Sequence, residues 1–283
     1  MMYEGDVYRP PSEANSLIIQ LTIGCARNTC RFCTMYKDKQ FRIRELSEVI
    51  GDLQWVKDNY PPYYRFDRVF LADGDALIVK TPELITVLDT VFQLFPHVHR
   101  VTTYGAAKDV LQKTPEELRQ LRSHGLEMVY IGAESGSDKV LTDVDKRVTA
   151  AETVEACLKL KAAGIKTSMT LITGLGGRAD TREHAIESAK LVSQAKPEYL
   201  GLLTLSLGRG APLTQDFLDG KFQKLSPLEG LEEQKLFLEH VDSEGTVLRS
   251  NHVSNYVSLA GTLNQDREKM IAQLDRAIAM YRQ

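Results

Sequence analysis

At 283 residues with 43% apolar side chains, the chain can bury one large core, and repeated strand–helix units commonly use about this length as one domain. Its 35 basic and 38 acidic residues leave a net charge of −3 with no long basic run, which argues against a footprint on a nucleic-acid backbone and against attraction to anionic membranes. Local patches still leave a nucleic-acid substrate open. No apolar run reaches the roughly 18 residues of a membrane span, and Met1–Pro10 lacks the apolar core of a signal peptide, so a cytoplasmic location is expected.

In chain order, the first strand is expected at Leu17–Ile23 and a helix at Ser47–Asn59. Arg68–Ala72 reads as a strand, and Thr81-Pro82 opens a helix toward Phe95, threonine suiting the cap and proline the first turn. A strand at Val98–Tyr104 precedes a capping box at Thr114 and Glu117, with Gly125 ending that helix. Met128–Ala133 is the fourth strand. Thr149 and Glu152 make a second capping box for a helix that stops at Gly164. Ile165–Thr173 is the fifth strand, Asp180 and Glu183 are candidate caps of the next helix, and Tyr199–Leu207 is the sixth strand.

This strict alternation argues for a parallel α/β sheet, either doubly wound or curled into a partial TIM-like (βα)6 barrel. Strand register favours the barrel. Ile165, Met169 and Leu171 share one face of the fifth strand, while Lys166, Ser168 and Thr170 share the other. Central strands of an open sheet are apolar on both faces, so a polar face fits a lumen lined for a ligand. The expected division is a barrel core at residues 1–207 and a C-terminal α/β extension at 208–283. The extension carries a helix near Leu228–His240, a short strand at Thr246–Arg249 and a last helix near Gln265–Tyr281.

The chemistry-bearing motif is Gly24-Cys25-Ala26-Arg27-Asn28-Thr29-Cys30-Arg31-Phe32-Cys33, directly after the first strand. In parallel α/β folds, sites gather at the carboxyl ends of strands. Three cysteines this close in a reducing compartment read as metal ligands rather than disulfide partners. Three thiolates can hold three irons of a four-iron cube, leaving the fourth iron open to an external chelator. A structural zinc ion usually takes four ligands, which here would require His252 or another side chain besides Cys25, Cys30 and Cys33. Cys157 follows Val154 at helical spacing and reads as core packing.

This loop resembles the cluster motif of the radical S-adenosylmethionine (radical SAM) superfamily, with Phe32 as the aromatic residue before the last cysteine. The family's usual spacing is C-x3-C-x2-C; here it is C-x4-C-x2-C. Ala72-Asp73-Gly74-Asp75 resembles the segment that receives the methionyl ammonium. Ile131-Gly132-Ala133-Glu134-Ser135-Gly136-Ser137 resembles a nucleoside-contacting segment, and Thr173-Gly174-Leu175-Gly176-Gly177 the glycine turn near the adenine. Each follows an expected strand, and together they cover about residues 17–207.

The resemblance implies a [4Fe–4S] cluster on Cys25, Cys30 and Cys33. It also implies reductive cleavage of S-adenosylmethionine to a 5′-deoxyadenosyl radical that abstracts hydrogen from a substrate. Phe32, Asp73, Gly74, Asp75, Glu134, Ser135, Ser168 and Thr170 are the implied cofactor contacts, with Arg147 a candidate for the cofactor carboxylate or a surface charge. Asp73 and Asp75 equally suit a turn cap, and Glu134 a solvated loop.

Arg100, Thr102, Tyr104 and Tyr130 are candidate lumen residues, with Lys108 in the loop beyond, and Glu134 shares a strand face with Tyr130, so both are expected to look inward. The polar run Arg249–Asn255 is either a barrel closure or a capped surface loop. A small organic substrate and a reductant such as a flavodoxin or ferredoxin are the expected partners. An iron–sulfur electron carrier, a metal sensor or a zinc scaffold is the alternative, although a nucleoside pocket has no use in a pure carrier.

Overall fold

The structure is a computed structural model and describes residues 3–61 and 63–282. The elements run in chain order as β1 Leu17–Gln20, β2 Thr22–Ile23, β3 Arg42–Ile43, α1 Leu46–Asn59, β4 Arg68–Ala72, α2 Thr81–Leu94 and β5 Arg100–Tyr104. They continue with α3 Ala107–Gln112, α4 Pro115–Ser123, β6 Leu126–Glu134, α5 Asp138–Asp143, α6 Ala150–Ala162, β7 Lys166–Thr173 and α7 Gly177–Ala195. The last are β8 Tyr199–Thr204, α8 Pro212–Leu218, α9 Pro227–His240, β9 Val247–Arg249, β10 Ala260–Thr262 and α10 Arg267–Tyr281. The fold is α/β, with a mostly parallel sheet of eight strands in the order β1-β4-β5-β6-β7-β8-β9-β10 and a small β2-β3 hairpin. No helix among the described residues is long and apolar enough to cross a membrane.

Two compact units divide the chain. The first comprises residues 1–28, 35–130 and 159–166. Its strands β1, β4, β5 and β6 pair in parallel, with Leu17 opposite Val69 and Arg68 opposite Arg100. β4 is apolar on both faces, as a central parallel strand should be, and Val69, Phe70, Leu71 and Ala72 are all buried. Helix α1 turns Leu53 and Val56 inward and packs on α2. Thr114 and Glu117 cap α4 reciprocally, at 3.1 and 2.7 Å, as their spacing predicts.

The second unit comprises residues 29–34, 131–158 and 167–283. Here β7, β8 and β9 run parallel, and β10 turns back antiparallel on β9. The alternation read in β7 is observed: Met169 and Leu171 are buried while Ser168 and Thr170 are half-exposed. The Thr149–Glu152 box caps α6, and Cys157 is buried. Asp180 and Glu183 do not cap α7. The glycine pair Gly176-Gly177 lets the chain turn directly into the helix, so α7 starts at Gly177 and both carboxylates lie within it. Asp180 pairs with Lys139, and Glu183 accepts from the Ser137 hydroxyl at 2.6 Å. The first strand also differs from its expected extent, breaking at Leu21 into β1 and β2.

Candidate functional site

In the first unit, Cys25 sits where β2 ends, and the turn after β4 lies against it. A Cβ added to Gly74 would come 3.0 Å from the Cys25 Cβ and 2.6 Å from the buried Tyr36 ring, so only glycine lets the two backbones approach this closely. The Gly74 N–H donates to the Gly24 carbonyl at 3.2 Å.

Asp73 is fully buried. Its Oδ2 accepts from the Lys39 ammonium at 2.9 Å, the Gly24 N–H at 3.1 Å and the Gln20 amide at 3.2 Å, while Oδ1 is buried without a hydrogen-bond partner. Burial pushes its carboxyl above the usual range, against the pull of those donors.

Asp75 is 1% exposed and accepts the Ala106 N–H at 3.2 Å. Arg27, within the cysteine loop, reaches Asp109 at 2.6 Å and lies 3.9 Å from Asp75. Asp75 is pushed up to about 8, first by burial and then by the adjoining Asp109 carboxyl, with Arg27 opposing. Two buried carboxyl groups thus face one guanidinium.

The candidate lumen residues of this unit are engaged by the N-terminal segment. The fully buried Glu13 accepts from Tyr130 at 2.6 Å and from Arg100 at 2.7 Å, and the Tyr130 hydroxyl also meets Ser12 at 2.8 Å. Tyr104 stands edge-on to Phe70, with ring centroids 4.9 Å apart, and Val7 packs on the cluster of Phe70, Ala72, Met128 and Tyr130. Thr102 is buried, and Lys108 is half-buried on α3.

In the second unit, the loop segment from Thr29 to Thr34 is clasped by backbone. The Arg31 N–H donates to Val144, the Leu213 N–H donates to the Arg31 carbonyl, and the Thr29 hydroxyl meets the Asp145 carbonyl at 3.0 Å. Phe32 packs on Val140, Val144, Leu175, Leu205 and Leu213. Cys30 and Cys33 are half-exposed, as is Cys25 in the first unit.

Glu134 ends β6 at φ +67° and pairs with Lys146 at 2.9 Å. This backbone value breaks the strand's alternation, so the face of Tyr130 no longer fixes where Glu134 points. Arg147 is mostly exposed and paired with Asp145 at 2.8 Å. The Ser135 hydroxyl is buried against His184 Nδ1 at 2.8 Å. His184 Nε2 meets the Ile172 carbonyl at 3.0 Å and lies 3.6 Å from Glu233, whose carboxylate accepts the Gly174 N–H at 2.7 Å. This buried relay ties the turn after β6 to the glycine turn after β7. Ser168 and Thr170 lie on one face of β7, opposite Tyr199 and Gly201 in register.

The polar run Arg249–Asn255 caps β8. Asn255 bonds the Leu202 carbonyl at 2.7 Å and the Thr204 hydroxyl at 2.8 Å, and Ser254 accepts the Thr204 N–H. His252 Nδ1 meets Ser254 at 2.8 Å. Among the described residues, no three His, Cys, Asp or Glu side chains gather tightly enough to share one metal ion. A four-iron cube asks for something different, one soft thiolate on each of three irons.

Sequence reading missed Lys39, Gln20, Asp109, Lys146, His184 and Glu233. Asp109 and Lys39 fall in stretches that carry no period. His184 sits on an ordinary helical face, and only the fold brings it to Ser135.

A sequence profile of the radical SAM superfamily matches residues 19–192. The dual-specificity RNA methyltransferase RlmN of Campylobacter jejuni subsp. jejuni is 23% identical over 228 residues, covering 76% of this chain and 61% of that protein. The anaerobic magnesium-protoporphyrin IX monomethyl ester cyclase of Cereibacter sphaeroides is 23% identical over 192 residues, covering 68% of this chain and 30% of that protein. The chain thus spans less than two thirds of the length of either relative. Among solved structures, methylornithine synthase (PylB) superposes with a TM-score of 0.55 at 16% identity, covering 93% of this chain and 81% of that one, a likeness of fold.

Proposed function

The chain belongs to the radical SAM superfamily, an enzyme class whose cofactors are a [4Fe–4S] cluster and S-adenosylmethionine, and we propose that Cys25, Cys30 and Cys33 hold that cluster. When bound, the cluster supplies one electron to the sulfonium of S-adenosylmethionine, for cleavage to methionine and, after hydrogen abstraction from a substrate, 5′-deoxyadenosine.

The observation that supports this most is the setting of Cys25. A cysteine just beyond the end of β2 lies against a glycine turn whose neighbours are two buried carboxyl groups, each with one oxygen, Asp73 Oδ1 and Asp75 Oδ2, that has no hydrogen-bond partner. Gly74 keeps the backbone open to the cofactor's amino-acid end. Asp73 Oδ1 would accept from its ammonium, and Asp75, whose carboxyl is raised by burial beside Asp109, would offer Oδ2 to the same end. Phe32 closes the second segment of the loop with apolar surface and excludes water. Glu134, Ser168 and Thr170 are the proposed nucleoside contacts. Ser135 contributes through its backbone, because its hydroxyl is committed to His184. Arg147 is a carboxylate contact only if it leaves Asp145.

The substrate we propose is a small organic molecule, since the charge is near balance and no basic stripe follows the chain. The likeness to an RNA methyltransferase makes RNA the comparison substrate. A flavodoxin or ferredoxin is the proposed reductant. The zinc and electron-carrier readings are not favoured. Anaerobic reconstitution with iron and sulfide, then dithionite and S-adenosylmethionine, tests the reading. Four irons per chain and 5′-deoxyadenosine are expected. A four-iron protein that never cleaves the cofactor makes it a carrier, and a colourless protein with one zinc makes it a scaffold.

A further inference from the structure

We infer that Lys39 and Asp73 form a buried clasp that closes the base of the cysteine loop and positions Cys25. The inference rests on the reading of Cys25 as a cluster ligand. Chain enters the loop at Gly24 and returns at Lys39. Both ends meet one carboxylate oxygen: Asp73 Oδ2 takes the Gly24 N–H at 3.1 Å and the Lys39 ammonium at 2.9 Å. Gly24 has φ +78°, a conformation glycine adopts without strain, and that turn aims its N–H at Asp73 and its carbonyl at Gly74.

The ion pair is enclosed, with side-chain exposures of 5% for Lys39 and 0% for Asp73. Lys39 also donates to the Asp6 carbonyl and lies 5.4 Å over the Tyr36 ring, and the Gln20 amide completes the set around Oδ2. Such a pair is a poor source of net stability, because desolvation of both charges offsets their attraction. Its geometry is what it provides. The Asp73 charge is balanced by the chain's own cation, so Asp73 enters the site as a fixed, already neutralised group. The clasp fixes Gly24, and Gly24 is bonded directly to Cys25, so Lys39 and Asp73 are positioning residues.

The test uses the full chain with three variants: Lys39→Met, Asp73→Asn and the double substitution. Each is reconstituted anaerobically, and the cluster's midpoint potential is read by EPR titration. The apo chains are treated with trypsin, and cleavage after Arg27 and Lys37 is timed by mass spectrometry. Lys39→Met leaves an unbalanced carboxylate beside Cys25, so its potential falls. Asp73→Asn leaves an unbalanced ammonium, so its potential rises. The double variant returns close to the wild-type potential. Tryptic cleavage of the loop is severalfold faster in all three. A wild type that takes up no iron overturns the cluster reading, while the apo cleavage rates still report on the clasp. A loaded wild type whose variants share its potential, or a double variant cut as slowly as wild type, overturns the clasp. The neutral double variant carries the test if either single variant fails to fold.

Discussion

Asp75→Asn should stabilise the apo chain, and the gain should grow with pH. In the folded chain, Asp75 holds its proton up to about pH 8 because it is buried beside Asp109. In the unfolded chain it ionises near 3.9. The folded state therefore binds one proton more across this window, and stability falls as pH rises from about 4 to about 8. Each pH unit costs about 1.4 kcal/mol, so at pH 7 the upper limit is about 4 kcal/mol. Arg27 lies 3.9 Å away and opposes the shift, so about 2 kcal/mol is the expected gain.

Asparagine matches the shape of the protonated acid and carries no charge to desolvate. For 283 residues the unfolding entropy is about 0.6 kcal/mol/K, so 2 kcal/mol corresponds to about 3 °C in Tm. Thermal melts of both apo proteins between pH 5 and 8.5 read the effect. The variant should lead by an amount that widens from pH 5 toward pH 8 and then levels. A gap that stays constant, or that narrows as pH rises, refutes the account of a raised Asp75 carboxyl.

Gly74→Ala should drive a methyl group into the Tyr36 ring and Cys25. We expect about 1–3 kcal/mol of destabilisation and a marked loss of bound iron after reconstitution, read by a chemical melt and iron assay. Cys30→Ala should remove the visible absorbance of the cluster while the apo chain keeps its far-ultraviolet circular dichroism. Glu233→Ala strips the Gly174 N–H of its buried acceptor and His184 of its nearby carboxylate, costing about 2–4 kcal/mol in urea unfolding.

Much of the architecture could be read along the chain because local signals agreed with the fold. The capping boxes at Thr114 and Thr149 mark observed helix starts, and Thr81-Pro82 does open α2, although Lys80 rather than Thr81 holds the cap position. Arg68–Ala72 is a strand at both limits. The short elements were not legible. α3, α5 and α8 are each a turn or two long, too short for a period to show, and β10 exists only because β9 offers an edge. In the site, the cysteines and the Asp73–Asp75 turn were visible as motifs in order. The partners were not: Lys39 meets Asp73 and Asp109 adjoins Asp75 across gaps of 34 residues each, and His184 meets Ser135 across 49. Glu134 shows a different limit: its positive φ ends the alternation that sequence reasoning relied on.

The acid at position 13 has a consequence for anyone reshaping this molecule. Glu13 is sealed at 0% exposure and ties Tyr130 and Arg100 to a stretch of chain that precedes every strand. That stretch is packed against the strands that follow it. Trimming it would uncork the aromatic floor of Phe70 and Tyr130 and strand a guanidinium, so grafts of these strands into a new host must carry residues 3–16 with them.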